Sequence, residues 1–97
     1  MNFKFIGWCN TDNHDKIWGL VTLREGLSEG AYLIFWGRRG KKLQTKIHKD
    51  ASWGIWDKIN SKRERGYVDI KIDEISKDYP DFEHELNKKV VWAMLKV

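Results

Sequence analysis

Only one cysteine and one proline occur among the 97 residues, and the chain has no long apolar run. A lone Cys9 has no internal disulfide partner, so packing alone must hold the fold, and a reducing cytoplasmic setting is expected. The opening MNFKFIGWCNTDNHDK lacks the apolar run of a secretory signal. Nothing approaches the roughly 20 consecutive apolar residues of a spanning helix, so no membrane partner is expected. Repeats, low-complexity tracts and Pro- or Gly-rich linkers are missing too, and the length reads as one domain.

Catalytic groupings are equally scarce. Cys9 and His14 flank the first turn, but no strained turn or helix N-terminus is placed to activate the thiol. His14, His48 and His84 stand singly, and with one cysteine they form no zinc spacing. The acidic neighbours Asp73-Glu74 and Asp81-x-Glu83 fall at a strand end and a helix start, where turn chemistry and the helix dipole account for them. Gly37-x-x-Gly40 lacks the Gly-Lys-Ser/Thr ending of a phosphate loop. The expectation is therefore no enzyme, no metal and no cofactor.

Aromatic residues and segregated charge are what the chain has in abundance. Six Trp, four Phe and three Tyr supply large buried areas per residue, which a small domain without covalent staples needs. The net charge of +4 hides an uneven distribution: residues 38 to 65 hold ten Lys/Arg against Asp50, Asp57 and Glu64, giving that segment +7 and the remainder −3. Segregation of this kind suits a domain that turns one basic face to a polyanion.

Periodicity organises the rest. Phe3 to Trp8 and Ile17 to Leu23 read as strands separated by the turn-rich Asn10 to Asp15. Ala31 to Trp36 is apolar on both faces and is expected at the centre of a sheet. Lys42 to Lys49 alternates Leu43, Thr45 and Ile47 with Gln44, Lys46 and His48, one face buried and one wet. A helix capped by Asp50 or Ser52 runs to about Arg65, with Gly66 as its stop. Tyr67 to Asp73 alternates again, which predicts a last strand. Beyond Pro80, the residues Phe82, Leu86, Val90, Ala93 and Val97 recur at helical intervals, with acids early and lysines late as the dipole prefers. The fold class is α+β: an antiparallel sheet of about five strands, one helix packed across it, and an additional C-terminal helix.

The stretch Phe35-Trp36-Gly37-Arg38-Arg39-Gly40-Lys41-Lys42 joins an aromatic pair to four cations at a turn whose glycines permit positive φ. Flexible cations with exposed N–H groups are what phosphate contacts require, and Trp36 adds a planar surface for a base or sugar. Trp36 shares a strand face with Tyr32 and Ile34, so a core position is open to it as well. The candidate nucleic-acid-binding set is Trp36, Arg38, Arg39, Lys41, Lys42, Lys46, Lys62, Arg63 and Arg65. For the three helix-end cations the macrodipole is a competing explanation.

Trp36-Gly37-Arg38-x-Gly40, followed by Gln44-Thr45-Lys46, resembles the signature of the WGR domain, a family found beside the catalytic region of several poly(ADP-ribose) polymerases and in small bacterial proteins. Asn13-x-Asp15-Lys16-Ile17-Trp18 is similar to that family's Asn-Lys-aromatic first strand, and Gly66-Tyr67 to the Gly-Tyr pair that ends its helix. The likeness covers roughly residues 3 to 70. It implies an antiparallel sheet crossed by a helix, binding to DNA ends or to nucleic acid generally, and contact roles for Trp36 and Arg38. Two features depart from the pattern: Gly54 inside the helix, and the continuation from Pro80 to Val97. Residues 1–75 are then a WGR-like domain and 76–97 a helical extension packed on it, with too little chain left over for ADP-ribosyl transfer.

The expected function is a stand-alone, non-enzymatic nucleic-acid-binding module, DNA before RNA, with ends or breaks as candidate targets. In a bacterial or phage setting it would be nucleoid-associated. The alternative is a protein-protein adaptor that modulates a nucleic-acid-processing enzyme through Trp36, Trp53 or the last helix. The sequence does not indicate an oligomeric state.

Overall fold

The computed structural model describes residues Met1–Val97. Five strands and three helices follow one another as β1 (Phe3–Cys9), β2 (Lys16–Arg24), β3 (Gly30–Arg38), β4 (Gln44–Asp50), α1 (Ser52–Glu64), β5 (Val68–Asp69), α2 (Ile72–Asp78) and α3 (Phe82–Met94). The sheet is open and antiparallel, with strand order β4-β3-β2-β1-β5. The fold is thus α+β, as its alternating and helical periods predict. No helix is long and apolar enough to cross a membrane.

Central strands must be apolar on both sides when both sheet faces are covered, and β2 and β3 are. One face presents Phe5, Trp18, Leu20, Tyr32 and Ile34 to Ile55 and Ile59 of α1. The other presents Ile6, Ile17, Val21, Leu33 and Phe35 to Ile75 of α2 and to Leu86, Val90 and Ala93 of α3. Each fully buried Ile, Leu or Phe contributes roughly 1.5–3 kcal/mol. A register shift between Phe3 and Phe5 lets two phenylalanines of one strand serve opposite faces: Phe5 packs toward α1, while Phe3 meets Phe35 edge-on with centroids 6.2 Å apart.

Helix α1 leaves from one edge strand and returns at the other. Its C-terminus closes with Tyr67 N–H donating to the Lys62 carbonyl and Gly66 N–H to that of Arg63, both at 3.1 Å. That closure puts Gly66 at φ +97°, which a Cβ disfavours. At the other end, Asp50 makes its contacts before the helix begins. Its Oδ1 accepts the Ala51 N–H at 2.8 Å and its Oδ2 lies 3.2 Å from His48 Nε2. So held, the carboxylate fills the space where a Cβ on Gly54 would lie 2.5 Å from it. Gly54 is therefore a packing requirement in an otherwise ordinary helix.

Two expectations are corrected here. The predicted strand over Tyr67 to Asp73 is reduced to the two residues of β5, and Val68, expected inside, is 58% exposed. Ile72 instead opens α2, because Ile72, Ile75 and Tyr79 at intervals of three and four satisfy a helical period that overlaps the alternating one. The boundary drawn between residues 75 and 76 falls inside α2, and Leu86, Val90 and Ala93 share one core face with the strands.

Candidate nucleic-acid interface

Pairing between β3 and β4 ends at Trp36 with Gln44, whereas pairing between β2 and β3 continues to Lys16 with Arg38. The residues between form a loop longer than a two-residue hairpin turn. Within it the Lys41 N–H donates to the Arg38 carbonyl at 3.0 Å, and Gly40 sits at φ +85° with the Tyr79 ring where a Cβ would be.

Strand alternation then separates the candidate cations. Trp36, Arg38 and their ladder partners Trp18, Lys16 and Gln44 lie on the α1 side of the sheet. Here an open groove of about 540 Å³ runs between the strands and α1, bordered by Trp36 and Lys46 on one bank and by Lys58 and Lys62 on the other. Trp36 is half-buried and packs partly on the core beneath α1, so it is both a core residue and a groove wall.

Lys62 reports how crowded with positive charge this region is. Its ammonium lies 5.2 Å from the Trp18 ring centroid and 5.7 Å from that of Tyr67. Partial burial, and then repulsion from Arg65, Lys58 and Lys16, hold its pKa below the ordinary lysine value. None of Lys16, Arg38, Lys46, Lys58, Lys62 or Arg65 has a carboxylate within ion-pair distance. The one acid bordering the groove is Asp57.

Arg39 and Arg63 are different. One residue past the end of β3, Arg39 lands on the opposite face, its guanidinium 4.6 Å from the Trp8 ring centroid, with Nε 3.3 Å from Asp15 Oδ1 and Nη1 3.8 Å from Asp78 Oδ2. The Nε–H is not aimed at the carboxylate, so the contact is ionic and not a formed hydrogen bond. Asp15 is fixed in turn by Trp8 Nε1–H, which donates to the same oxygen at 2.6 Å. Arg63 forks onto Asp69, with Nε and Nη2 donating at 3.3 and 3.2 Å, and covers the Phe5 ring. Lys41 and Lys42 stand apart from the groove, exposed in the loop beside α3.

The structure therefore brings together Trp36, Arg38, Lys46, Lys62 and Arg65 from the predicted set, adds Lys16 to them, and engages Arg39 and Arg63 internally. Lys16 escaped the charge count because it precedes the basic segment; its alternation with Trp18 on β2 was the available signal. No three His, Cys, Asp or Glu side chains converge into a metal-ligating group. Cys9 is buried, with Sγ 3.6 Å from Thr11 Oγ1 and 4.0 Å from the Arg65 carbonyl. A surface so composed can neutralise phosphates and offer one aromatic plane. Compared with protein families, with curated proteins and with solved structures, the chain matches none.

Proposed function

We propose that the protein is a non-enzymatic nucleic-acid-binding module of the cytoplasm, DNA before RNA, which binds through the α1 side of its sheet. The carrying observation is a group of six unpaired cations: Lys46, Lys58 and Lys62 line the groove with the half-buried Trp36, Lys16 and Arg38 are ladder partners beside it, and Arg65 and Lys16 act on Lys62, while Asp57 is the one acid on the groove. Unpaired cations release counterions when they meet phosphates, whereas those already paired gain little. The resemblance of Trp36-Gly37-Arg38 to the WGR motif points the same way and suggests strand ends as the target, with the Trp36 plane against a terminal sugar or base.

If about five phosphates are neutralised on duplex DNA, log K falls with log salt at a slope near −4 to −5, and Arg38→Ala makes that slope shallower by about 1. Titrations of blunt duplex, nicked duplex and single strands at several salt concentrations check both. Affinity that is absent, or indifferent to salt, refutes the reading.

One observation favours an adaptor as the second reading. Val91, Trp92, Met94 and Leu95 of the α3 region are 49–81% exposed, an apolar stripe of the kind that anchors protein partners. A partner that stays bound after nuclease treatment and high salt would support it.

A further inference from the structure

On the face away from the Trp36 groove, the loop carrying Gly40 and the α2–α3 corner enclose a cleft of about 520 Å³. Its volume falls within the range of small-molecule sites, roughly 300–1,000 Å³. Leu43, Tyr79, Phe82 and Leu86 make an apolar floor. Around the rim stand Lys41, Lys42 and Lys89 together with Asp78, Asp81 and Glu85. The two sets of charges are not equally available. Asp78 lies 3.8 Å from Arg39 and Glu85 lies 3.6 Å from Lys88, which leaves Asp81, at the N-cap position of α3 without a side-chain cap bond, as the one unpaired acid of the rim. The three lysines have no carboxylate within ion-pair distance. What the cleft offers a ligand is therefore an apolar bed and uncommitted positive charge.

We propose that this cleft binds a small amphipathic anion, an apolar body carrying a carboxylate or phosphate head. The head meets Lys41, Lys42 and Lys89, and the body lies on Tyr79 and Phe82. Aromatic walls and point-charge lysines fit a compact aromatic or short aliphatic acid. The cleft has a second consequence, which rests on the nucleic-acid reading above. Lys41 and Lys42 lie three and four residues beyond Arg38, the last residue of β3, so an anion held by them cancels charge that would otherwise attract a polyanion. By linkage, polynucleotide and small anion oppose one another to the same extent.

The test is an amide-resonance NMR titration of the full chain, without nucleic acid, using 1-naphthyl phosphate, 1-naphthoate and the neutral 1-naphthalenemethanol at constant ionic strength. Saturable shifts confined to residues 40–43 and 78–89 are expected from at least one anion, and the tighter of the two names the head group. The neutral compound should bind about tenfold more weakly, and Lys89→Glu should weaken the anion by roughly fivefold or more. Lys46→Glu, on the other face, should leave it unchanged. Silence from both anions, equal binding of the neutral compound, or indifference to Lys89→Glu overturns the site. A duplex-DNA titration with and without saturating probe then reads the coupling: DNA binding weakened by about fivefold is expected, and unchanged affinity overturns the antagonism. If DNA fails to bind even without probe, the nucleic-acid reading falls while the cleft stands on its own titration.

Discussion

On one side of the sheet a single helix covers the apolar centre and leaves a wet, cationic margin at Trp36; on the other, two helices close over a larger core, and Arg39 at its border is paired with Asp15 and Asp78. Arg38 and Arg39 show the contrast at its smallest scale. They are chain neighbours with identical side chains, yet Arg38, the last residue of β3, belongs to the open margin, and Arg39, the first residue of the turn, reaches Trp8, Asp15 and Asp78. Positive charge counted along a chain thus overstates the charge a ligand meets. The partners that the fold brings to each side chain decide which cations hold the molecule together and which are free.

The largest test of that division uses the adjacent aromatics Phe35 and Trp36. Phe35 is fully buried against Phe3 and Phe82, so Phe35→Ala should destabilise by about 3–5 kcal/mol in urea unfolding. Trp36→Ala should remain folded at room temperature and lose about 1–3 kcal/mol of single-strand or end affinity through its lost stacking plane. A Trp36→Ala chain that unfolds places that side chain wholly with the core.

The arginines come next. Arg39→Ala should cost roughly 1–2 kcal/mol of stability by removing a partly buried ion pair and its cover over Trp8, while Arg38→Ala should change stability by less than about 0.5 kcal/mol. Urea midpoints of the two variants side by side decide this, and equal values would erase the distinction between the faces.

Smaller still, Gly54→Ala should lower the melting temperature, although the same change in an exposed helix ordinarily stabilises. The new methyl meets a carboxylate that can retreat only by releasing Ala51 N–H and His48. The Asp50 pKa is held below its usual value, first by the His48 hydrogen bond and then by Ala51 N–H and cationic neighbours, against a contribution from burial in the other direction. Its contribution to stability is present above the ordinary carboxylate range and is lost as pH falls through the depressed value.

The smallest effect is expected at Lys62. Because its pKa is lowered in the folded state, keeping it charged opposes folding below that value, and the cost is relieved as pH rises through it. Lys62→Met should therefore raise the urea midpoint slightly at neutral pH, with the gain shrinking in alkali, while weakening polyanion binding. A lowered midpoint would mean that its contacts with Trp18 and Tyr67 outweigh the repulsion.

Much of the fold was legible because strand and helix periods are local properties. The double apolar face of Ala31 to Trp36 announced a central strand, and Phe82, Leu86, Val90 and Ala93 announced α3. Helix α2 was not legible because Ile70 and Ile72 alternate with charges just where Ile72 and Ile75 begin a helical spacing, and short windows cannot separate the two. At the candidate site, Trp36 and Arg38 could be singled out from their setting at a turn. The commitment of Arg39 could not, since it depends on Asp15 and Asp78, carboxylates that only the closed fold brings together.

Helix α1 has 13 residues, a rise of roughly 20 Å at 1.5 Å each. Five hydrogen-bonded strands spaced about 4.8 Å apart span nearly the same distance, and α1 connects the first strand of that row to the last. The helix is thus cut to the width of the sheet it crosses. Shortening it by one turn would tear β5 from its place, and lengthening it would slacken the outer strands, so the spacing of the banks of the groove is written into the number of residues between Asp50 and Gly66.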